Sequence, residues 1–589
     1  MDIRRNWWLT SCRGADWLHR WLLAGLCLVV GLLHGLPHIL IPLHLRADER
    51  YTPFAVNGVS ALTFDESYIY AAQTNYTATR WKPAYDTDVF EYRDIPAVFP
   101  YVPFYALAAL ARVTGGTAQA FILCDFILPP LAFLLAWSLI TGSTRSRSLG
   151  AVGALATILV SFGPRNFVTL GKAAIQPLEY SRLLHPELSF TLFLLALWLL
   201  WLALHRPSPA LLVASGVAGG LLFYAYAYYW PAWFGGCALL CVLARRRLWI
   251  SLATGAAVGS FFWLNVLEAE RFPNYVWRTA RFGIEHGHIP SDRKLVFTAA
   301  VIVVFGVLLT IGRYFGKHAD WRFAALFWSS IFVAACCGLN EEIVTGLNVE
   351  SMEHYPNRVF QPFLFLAFFA LASPALRRIF PRRWWRPLVA AGIALLIGIA
   401  AVRQTAVAAN TAPKHVYTAE EQALFGWLNR QTPADSVVLL PVSELAQLLP
   451  AFTHNCQFIP NGTRTTASNA EILERFLAGE KLLGHADEWV RAALAQNADA
   501  GDQPLGITYA YYLFQSSYDS PGRRLQDAAI EAALAQFRAM DLAKELARFR
   551  LDYIYARGSE QPSAVPGYTF HEAFRSPFGT VYRIARTNE

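Results

Sequence analysis

Twelve apolar runs recur along this chain, and they constrain its fold more than any other feature. They cover, approximately, 21–43, 98–113, 117–141, 149–164, 188–204, 209–228, 230–244, 248–266, 295–312, 322–339, 359–376 and 385–403. Most are about 15 to 25 residues long, the length that carries a helix across a hydrocarbon core of about 30 Å. A water-soluble chain of 589 residues would instead divide into several domains with polar surfaces. Here 55% of the residues are hydrophobic and only 16% are charged. The runs therefore predict a polytopic α-helical membrane protein. The first run is too long for a signal-peptide core and lacks a small-residue cleavage site at its far end, so it reads as a retained span.

Short basic clusters lie between the runs: "MDIRRNWW", "TGSTRSRS", "HRPSP", "RRR", "GRYFGKHADWR" and "RRIFPRRWWR". Lys and Arg mark cytoplasmic loops. All of these clusters fall on one side if the run 98–113 does not span. That segment is short, is interrupted by Pro100 and Pro103 and carries Arg112, which suits a juxtamembrane helix at the interface. The expectation is about eleven spans, with the N-terminus cytoplasmic and the C-terminal part outside. The net charge of +8 is used up in these topological clusters and gives no reason to expect nucleic acid. Seven of the eight cysteines lie in or beside apolar runs, leaving Cys456 in the polar tail. This pattern excludes a disulfide framework and offers no zinc spacing.

From about residue 404 the composition changes. "TAEEQALFGWLNRQTP" reads as a helix that Thr418 caps, with Glu420 and Glu421 at its positive end. "SVVLLPV" reads as a buried strand and "SELAQLLPAF" as a helix. Helical stretches follow near 467–499 and 523–548, and "LDYIYAR" and "GTVYRIA" read as closing strands. Residues 404–589 are thus expected to form an extracytoplasmic α/β domain, after a transmembrane domain over 1–403.

The outer loops of this topology are 44–116, 165–187, 225–232, 267–294 and 340–358. They hold nearly all acids outside the tail. The first reads "FDESYIYAAQTNYTATRWKPAYDTDVFEYRDIPAVFPYVPFYALAALARVTGG". An acid pair, Asp65 and Glu66, opens it. A proline-aromatic stretch then leads to a helix ending in Gly-Gly. "FDESYIYA" followed by "FPYVPFYALAALARVTGG" resembles the GT-C superfamily of membrane glycosyltransferases, which includes aminoarabinose transferases and protein O-mannosyltransferases. The resemblance covers about residues 20–403. It implies a GT-C-like helical bundle in a bacterial inner membrane, with juxtamembrane helices in the first outer loop. It also implies an enzyme that moves a sugar from a polyprenyl-phosphate-linked donor to a glycan, lipid or protein acceptor.

That chemistry asks for a base to take the acceptor's proton and for cations to receive the departing phosphate. Asp65 is the leading base, and Glu66 is a substrate or metal contact. Helix capping by either acid is the alternative. Candidate phosphate contacts are Arg80 and Lys82 in the first loop, Arg182 and His185 in the second, and Arg278 and Arg281 in the fourth. The 340–358 loop adds His354 and Arg358. Solvated side chains at a membrane boundary are the competing reading for each. A divalent cation, Mg2+ or Mn2+, would find only a weak ligand set in Glu66, Glu353 and His354. The stretch "YAYAYYWPAW" is an interfacial aromatic belt that can also stack on sugar or isoprenoid. Asp125 is the odd charge inside an apolar run; it costs about 2.5–3.5 kcal/mol unless paired, and reads as a helix-packing residue. A lipid or polysaccharide transporter or flippase, and a non-catalytic envelope-assembly protein, are the other function classes. A transporter is expected to carry charges near mid-membrane, whereas these runs are nearly charge-free and the polar groups cluster outside.

Overall fold

The structure, a computed structural model, describes residues 15–54, 70–95, 101–175, 177–281, 285–316, 319–348, 354–380, 382–441, 444–462, 464–495, 509–514 and 525–587. Seven helices within these residues are long and apolar enough to cross a membrane: Arg20–His44, Thr117–Thr144, Leu183–His205, Arg246–Ala269, Asp292–Phe315, Trp321–Leu339 and Arg383–His415. An eighth is the pair Tyr355–Leu371 and Ser373–Ile379, bent by 56°. Three other expected spans are shorter apolar helices, Arg147–Leu159, Pro209–Tyr224 and Tyr229–Leu243. The proline-interrupted segment forms the short helix Tyr101–Thr114, whose Arg112 stacks on Trp81 at 4.7 Å.

The bundle is polytopic and helical, and its core is predominantly apolar. Phe133, Leu197, Trp233, Trp328 and Phe363 are among its buried side chains. Helices Pro209–Leu221 and Trp249–Ala269 approach closely through small residues. A Cβ on Gly216 would lie 2.6 Å from the Ser251 carbonyl oxygen, and one on Gly220 would lie 2.7 Å from that of Gly255. Such contacts let lipid-embedded helices gain dispersion energy where no hydrophobic driving force exists. At one end of the bundle two of the basic clusters meet: Arg377 donates to the Thr144 carbonyl, and Trp385 Nε1 donates to Ser148 Oγ at 3.0 Å.

The tail lies at the other end. Its five-stranded sheet has the order Cys456–Gln457, Val437–Leu439, Tyr553–Arg557, Gly579–Arg586, Tyr568–Ser576. The first three strands are parallel, and the last two pairings are antiparallel. Helix Ala419–Gln431 starts at the expected Thr418, which forms a reciprocal capping box with Glu421. The preceding helix, Arg382–Thr411, runs past residue 403 without a break.

The first loop is built into this tail. Strand Glu49–Tyr51 pairs antiparallel with Val416–Thr418, in register Glu49 to Thr418 and Tyr51 to Val416. Phe54, Phe104 and Phe121 share one buried cluster with Phe425, Leu440 and Leu449 of the tail. Further along, Asp86 and Asp88 enter the loop 461–467. Asp86 accepts from the backbone N–H groups of Asp88, Val89 and Thr466 and from the Thr465 hydroxyl. Its burial pushes its pKa up to about 6 against those bonds. Asp88 pairs with Arg464 at 3.0 Å, both side chains fully buried. Arg475 spans Glu471 at 2.9 Å and Glu91 at 3.1 Å.

Candidate functional site

Two polar segments enter their spans at the tail end of the bundle. One is Leu183–Leu188, whose backbone breaks from helical geometry at His185 (φ −138°, ψ 106°) before helix Ser189–His205; the other is Tyr355–Phe360, a wide, π-helical turn leading into helix Gln361–Leu371. A wide turn of the second kind changes which way a side chain projects and recurs at functional sites. The first places His185, the second Arg358. Between them stands the aromatic stretch 224–229.

Tyr226 is the centre of the cluster. Its ring lies 4.1 Å from that of His185, and its hydroxyl meets His354 Nδ1 at 2.6 Å. Tyr70 closes the other side of His185 edge-on at 5.5 Å. Tyr228 contacts both His354 and Tyr355, and the Tyr229 hydroxyl donates to the Arg358 carbonyl at 2.9 Å. Arg358 is 7% exposed. Its Nη2 lies 3.5 Å from Glu179 Oε2, while Asn166 donates to Glu179 Oε1 at 2.8 Å. Arg358 Nη1 is buried with no hydrogen-bond partner among the described residues. His354 keeps an exposed face. The surrounding protein and the Arg358 and Arg182 guanidiniums nevertheless lower its pKa to about 3.

The electrostatic balance follows. Two guanidiniums, Arg182 and Arg358, add to the effect of burial on the His354 imidazole, which therefore stays neutral. Glu179 compensates Arg358 from the side, at a distance longer than an ordinary charged hydrogen bond. An anion arriving from the tail end would meet planar donors, one of them with an unused N–H group. It would also meet aromatic faces able to stack on a ring or an isoprenoid.

Arg182, His185, His354 and Arg358 are the expected residues that the fold brings together. Arg80, Lys82 and Arg281 stand elsewhere, occupied by the protein's own acceptors. Arg80 pairs with Asp435 and donates to the His454 carbonyl at 3.0 Å, which ties helix Ala72–Arg80 to the tail. Lys82 is exposed and bonds Asp94 at 3.0 Å. Arg281 is 1% exposed and donates to Gly462 O at 3.1 Å, Thr465 O at 2.8 Å and Asn469 Oδ1 at 3.0 Å. It is a buried clamp on the tail loop rather than an open anion contact. Arg278 lies on the same short helix, Tyr275–Arg281. Asp65, Glu66 and Glu353 lie outside the described residues. Among the described residues no three His, Cys, Asp or Glu side chains gather closely enough to hold a metal ion.

A second polar group was not anticipated as a unit. Asp125 is paired within the bundle: its Oδ2 lies 2.6 Å from His38 Nε2. His34 and His38 are four residues apart on one helix and therefore share a face. That spacing was visible in the sequence, within a run read only for its length. Glu179, the partner of Arg358, carried no comparable signal.

No family model matches the sequence, and no curated protein matches it. Among solved structures, the chain is similar to ArnT from Cupriavidus metallidurans in the apo state, at 13% identity and a TM-score of 0.47, covering 82% of this chain and 92% of that one. It is similar also to ArnT from the same organism bound to undecaprenyl phosphate, at 13% identity and a TM-score of 0.45, covering 97% and 98% of the two chains. A likeness this distant assigns neither substrate nor chemistry.

Proposed function

We propose that the protein is a membrane glycosyltransferase. It takes a sugar from a polyprenyl-phosphate-linked donor and transfers it to a hydroxyl of a glycan, lipid or protein acceptor, at the tail end of the bundle. The observation that carries this reading is Arg358: a nearly buried guanidinium at the mouth of a span, beside Arg182, with its Nη1 unused. Burying such a charge is expensive unless an anion completes it. A phosphate ester anchored in lipid presents its charge at that depth, and the planar fork of arginine matches its oxygens. Tyr226 and Tyr228 supply the faces on which a sugar ring or the first isoprene unit stacks. The sequence resemblance of "FDESYIYA" and "FPYVPFY" to GT-C enzymes points to the same donor class. Two of the basic clusters, 141–148 and 377–386, meet at the opposite end, and the matching placement has the N-terminus cytoplasmic and the tail outside.

The test is transfer from polyprenyl-phosphate sugars by the purified protein in proteoliposomes. Arg358→Met is expected to raise the donor KM by about 10- to 100-fold, the worth of one or two charged hydrogen bonds. Arg358→Lys should recover part of the loss, because an ammonium keeps the charge without the fork. A donor KM unchanged in Arg358→Met would remove the arginine from the phosphate site.

A further inference from the structure

An acid already stands against the Arg358 guanidinium. Glu179 Oε2 lies 3.5 Å from Arg358 Nη2, and 19% of the acid's side chain is exposed. Its other oxygen, Oε1, accepts from Asn166 Nδ2 at 2.8 Å. Space is kept for this side chain, since a Cβ on Gly163 would lie 2.6 Å from Glu179 Cγ. The loop that carries it is tied to helix Arg382–Thr411. Leu178 N–H donates to Gln404 Oε1 at 3.2 Å, and Arg403 Nη1 donates to the Thr169 carbonyl at 3.1 Å. Arg403 also lines the same pocket as Glu179 and Asn166, and the charge of Glu179 acts on it. One carboxylate is thus shared by two guanidiniums from different spans, on a backbone fixed to one of them.

These distances make Glu179 a loose partner of Arg358. A charged N–H···O bond is ordinarily about 2.7–2.9 Å long, so at 3.5 Å the pair is held by charge more than by a hydrogen bond. A phosphate engages arginine best through two parallel N–H groups. Nη1 has no partner among the described residues and can take a first oxygen at once. Taking a second oxygen at Nη2 requires Glu179 to move aside. The charge of the ligand then matters. A phosphate diester carries one negative charge, whereas the monoester left when a sugar departs carries nearly two above its second pKa of about 6. Arg182 and Arg358 alone would therefore hold the lipid phosphate product more tightly than the donor. A carboxylate able to return to Nη2 opposes that. An ion pair built only to fix the loop would close to hydrogen-bond length, and Gln404 and Arg403 fix this loop already.

We propose that Glu179 is an internal competitor for the phosphate site. It is a positioning residue that neighbours Arg358 Nη2 between turnovers, yields it to the phosphate of the lipid-linked donor, and returns to expel the lipid phosphate product. The inference rests on the glycosyltransferase reading above. Asn166 and Arg403 define the place to which the carboxylate withdraws, with no movement of the loop backbone. Its effect is on the balance between binding and release. Gripping donor and product alike lowers KM without raising kcat, and Glu179 limits that grip.

The experiment measures binding of farnesyl phosphate, farnesol and inorganic phosphate to the full-length protein in nanodiscs, together with donor KM and kcat in proteoliposomes. Glu179→Gln should bind farnesyl phosphate about tenfold more tightly than the wild type, the scale on which one nearby charge shifts an ionic equilibrium. Its donor KM and its kcat should fall together, because the product leaves more slowly. Glu179→Asp, which keeps the charge on a shorter stem, should fall between the two. In an Arg358→Met background, Glu179→Gln should change farnesyl phosphate binding by less than about twofold, a coupling that a structural role for Glu179 would not produce. Farnesyl phosphate affinity that does not rise in Glu179→Gln, or that rises equally in the Arg358→Met background, overturns the inference and leaves the functional reading standing. If the Gln variant fails to fold, an affinity unchanged in Glu179→Asp overturns it instead. Wild-type protein that binds farnesol or inorganic phosphate as well as farnesyl phosphate overturns the functional reading, and the inference with it.

Discussion

His354 is an uncharged group at pH 7, and that decides what it contributes. Its pKa of about 3 lies below the ordinary 6.5 of a histidine. The folded protein therefore holds fewer protons on this residue than the unfolded chain does. The stability linked to it is fully present above about 6.5 and is withdrawn as pH falls from there toward 3. The ring also stays neutral through the range in which a transferase would work. Replacing His354 by Asn should flatten the acid limb of thermal stability between pH 6 and 4, measured in detergent. It should leave the shape of the pH–rate profile above pH 6 unchanged. Individual residues of the site were partly legible: Arg182, His185, His354 and Arg358 stand out as polar groups at the mouths of apolar runs. Glu179 was not legible, because a partner charge nearly 180 positions away in the chain leaves no local pattern. His34 and His38 were legible as a pair, but their meaning depends on Asp125 arriving from another span.

Elements were most legible where their signals are local. The Thr418–Glu421 capping box needs only four consecutive residues, and helix Ala419–Gln431 follows it. The strands Val437–Leu439 and Tyr553–Arg557 announced themselves as β-branched and aromatic runs. The three-residue strand Glu49–Tyr51 did not, since the strand it pairs with is more than 360 residues later in the chain. The burial of Asp86 and Asp88 was hidden for the same reason: these acids look solvated until Arg464, Thr465 and Thr466 enclose them. Asp88 and Arg464 are both fully buried, and removing one partner of such a pair strands the other charge at a cost of about 3–5 kcal/mol. Asp88→Ala is therefore expected to release the loop. Faster limited proteolysis within 70–95, and a lower unfolding midpoint of the tail, would report it.

The whole molecule does not divide cleanly into a bundle and an appendage. Val89 belongs to the tail's own core, and Phe54, Phe104 and Phe121 complete a second cluster with tail residues. Burying one such side chain is worth about 1.5–3 kcal/mol. Losing all four together approaches the ~5–15 kcal/mol that holds a whole domain folded. Residues 404–589 produced alone should therefore bind a hydrophobic dye and unfold without a sharp transition, whereas the same residues in the intact chain should melt cooperatively. The same coupling ties the tail to the polar site, because Tyr70, which closes over His185, also packs against both tail clusters.

The pairing of Glu49–Tyr51 with Val416–Thr418 has a consequence for biosynthesis. Chains emerge N-terminus first, and early segments fold before later ones exist. Tyr51 and His38 are made early, yet the strand beside Tyr51 follows the last span, and His415, which lines a cavity with His38, Tyr51 and Asp125, is that span's final residue. The cavity closes only once nearly all of the bundle has been made. A nascent chain inserted in the membrane thus carries an open polar notch beside its first helix, sealed late by a three-residue zipper. Quality control that senses exposed polar surface in lipid would read that notch as the mark of an unfinished protein.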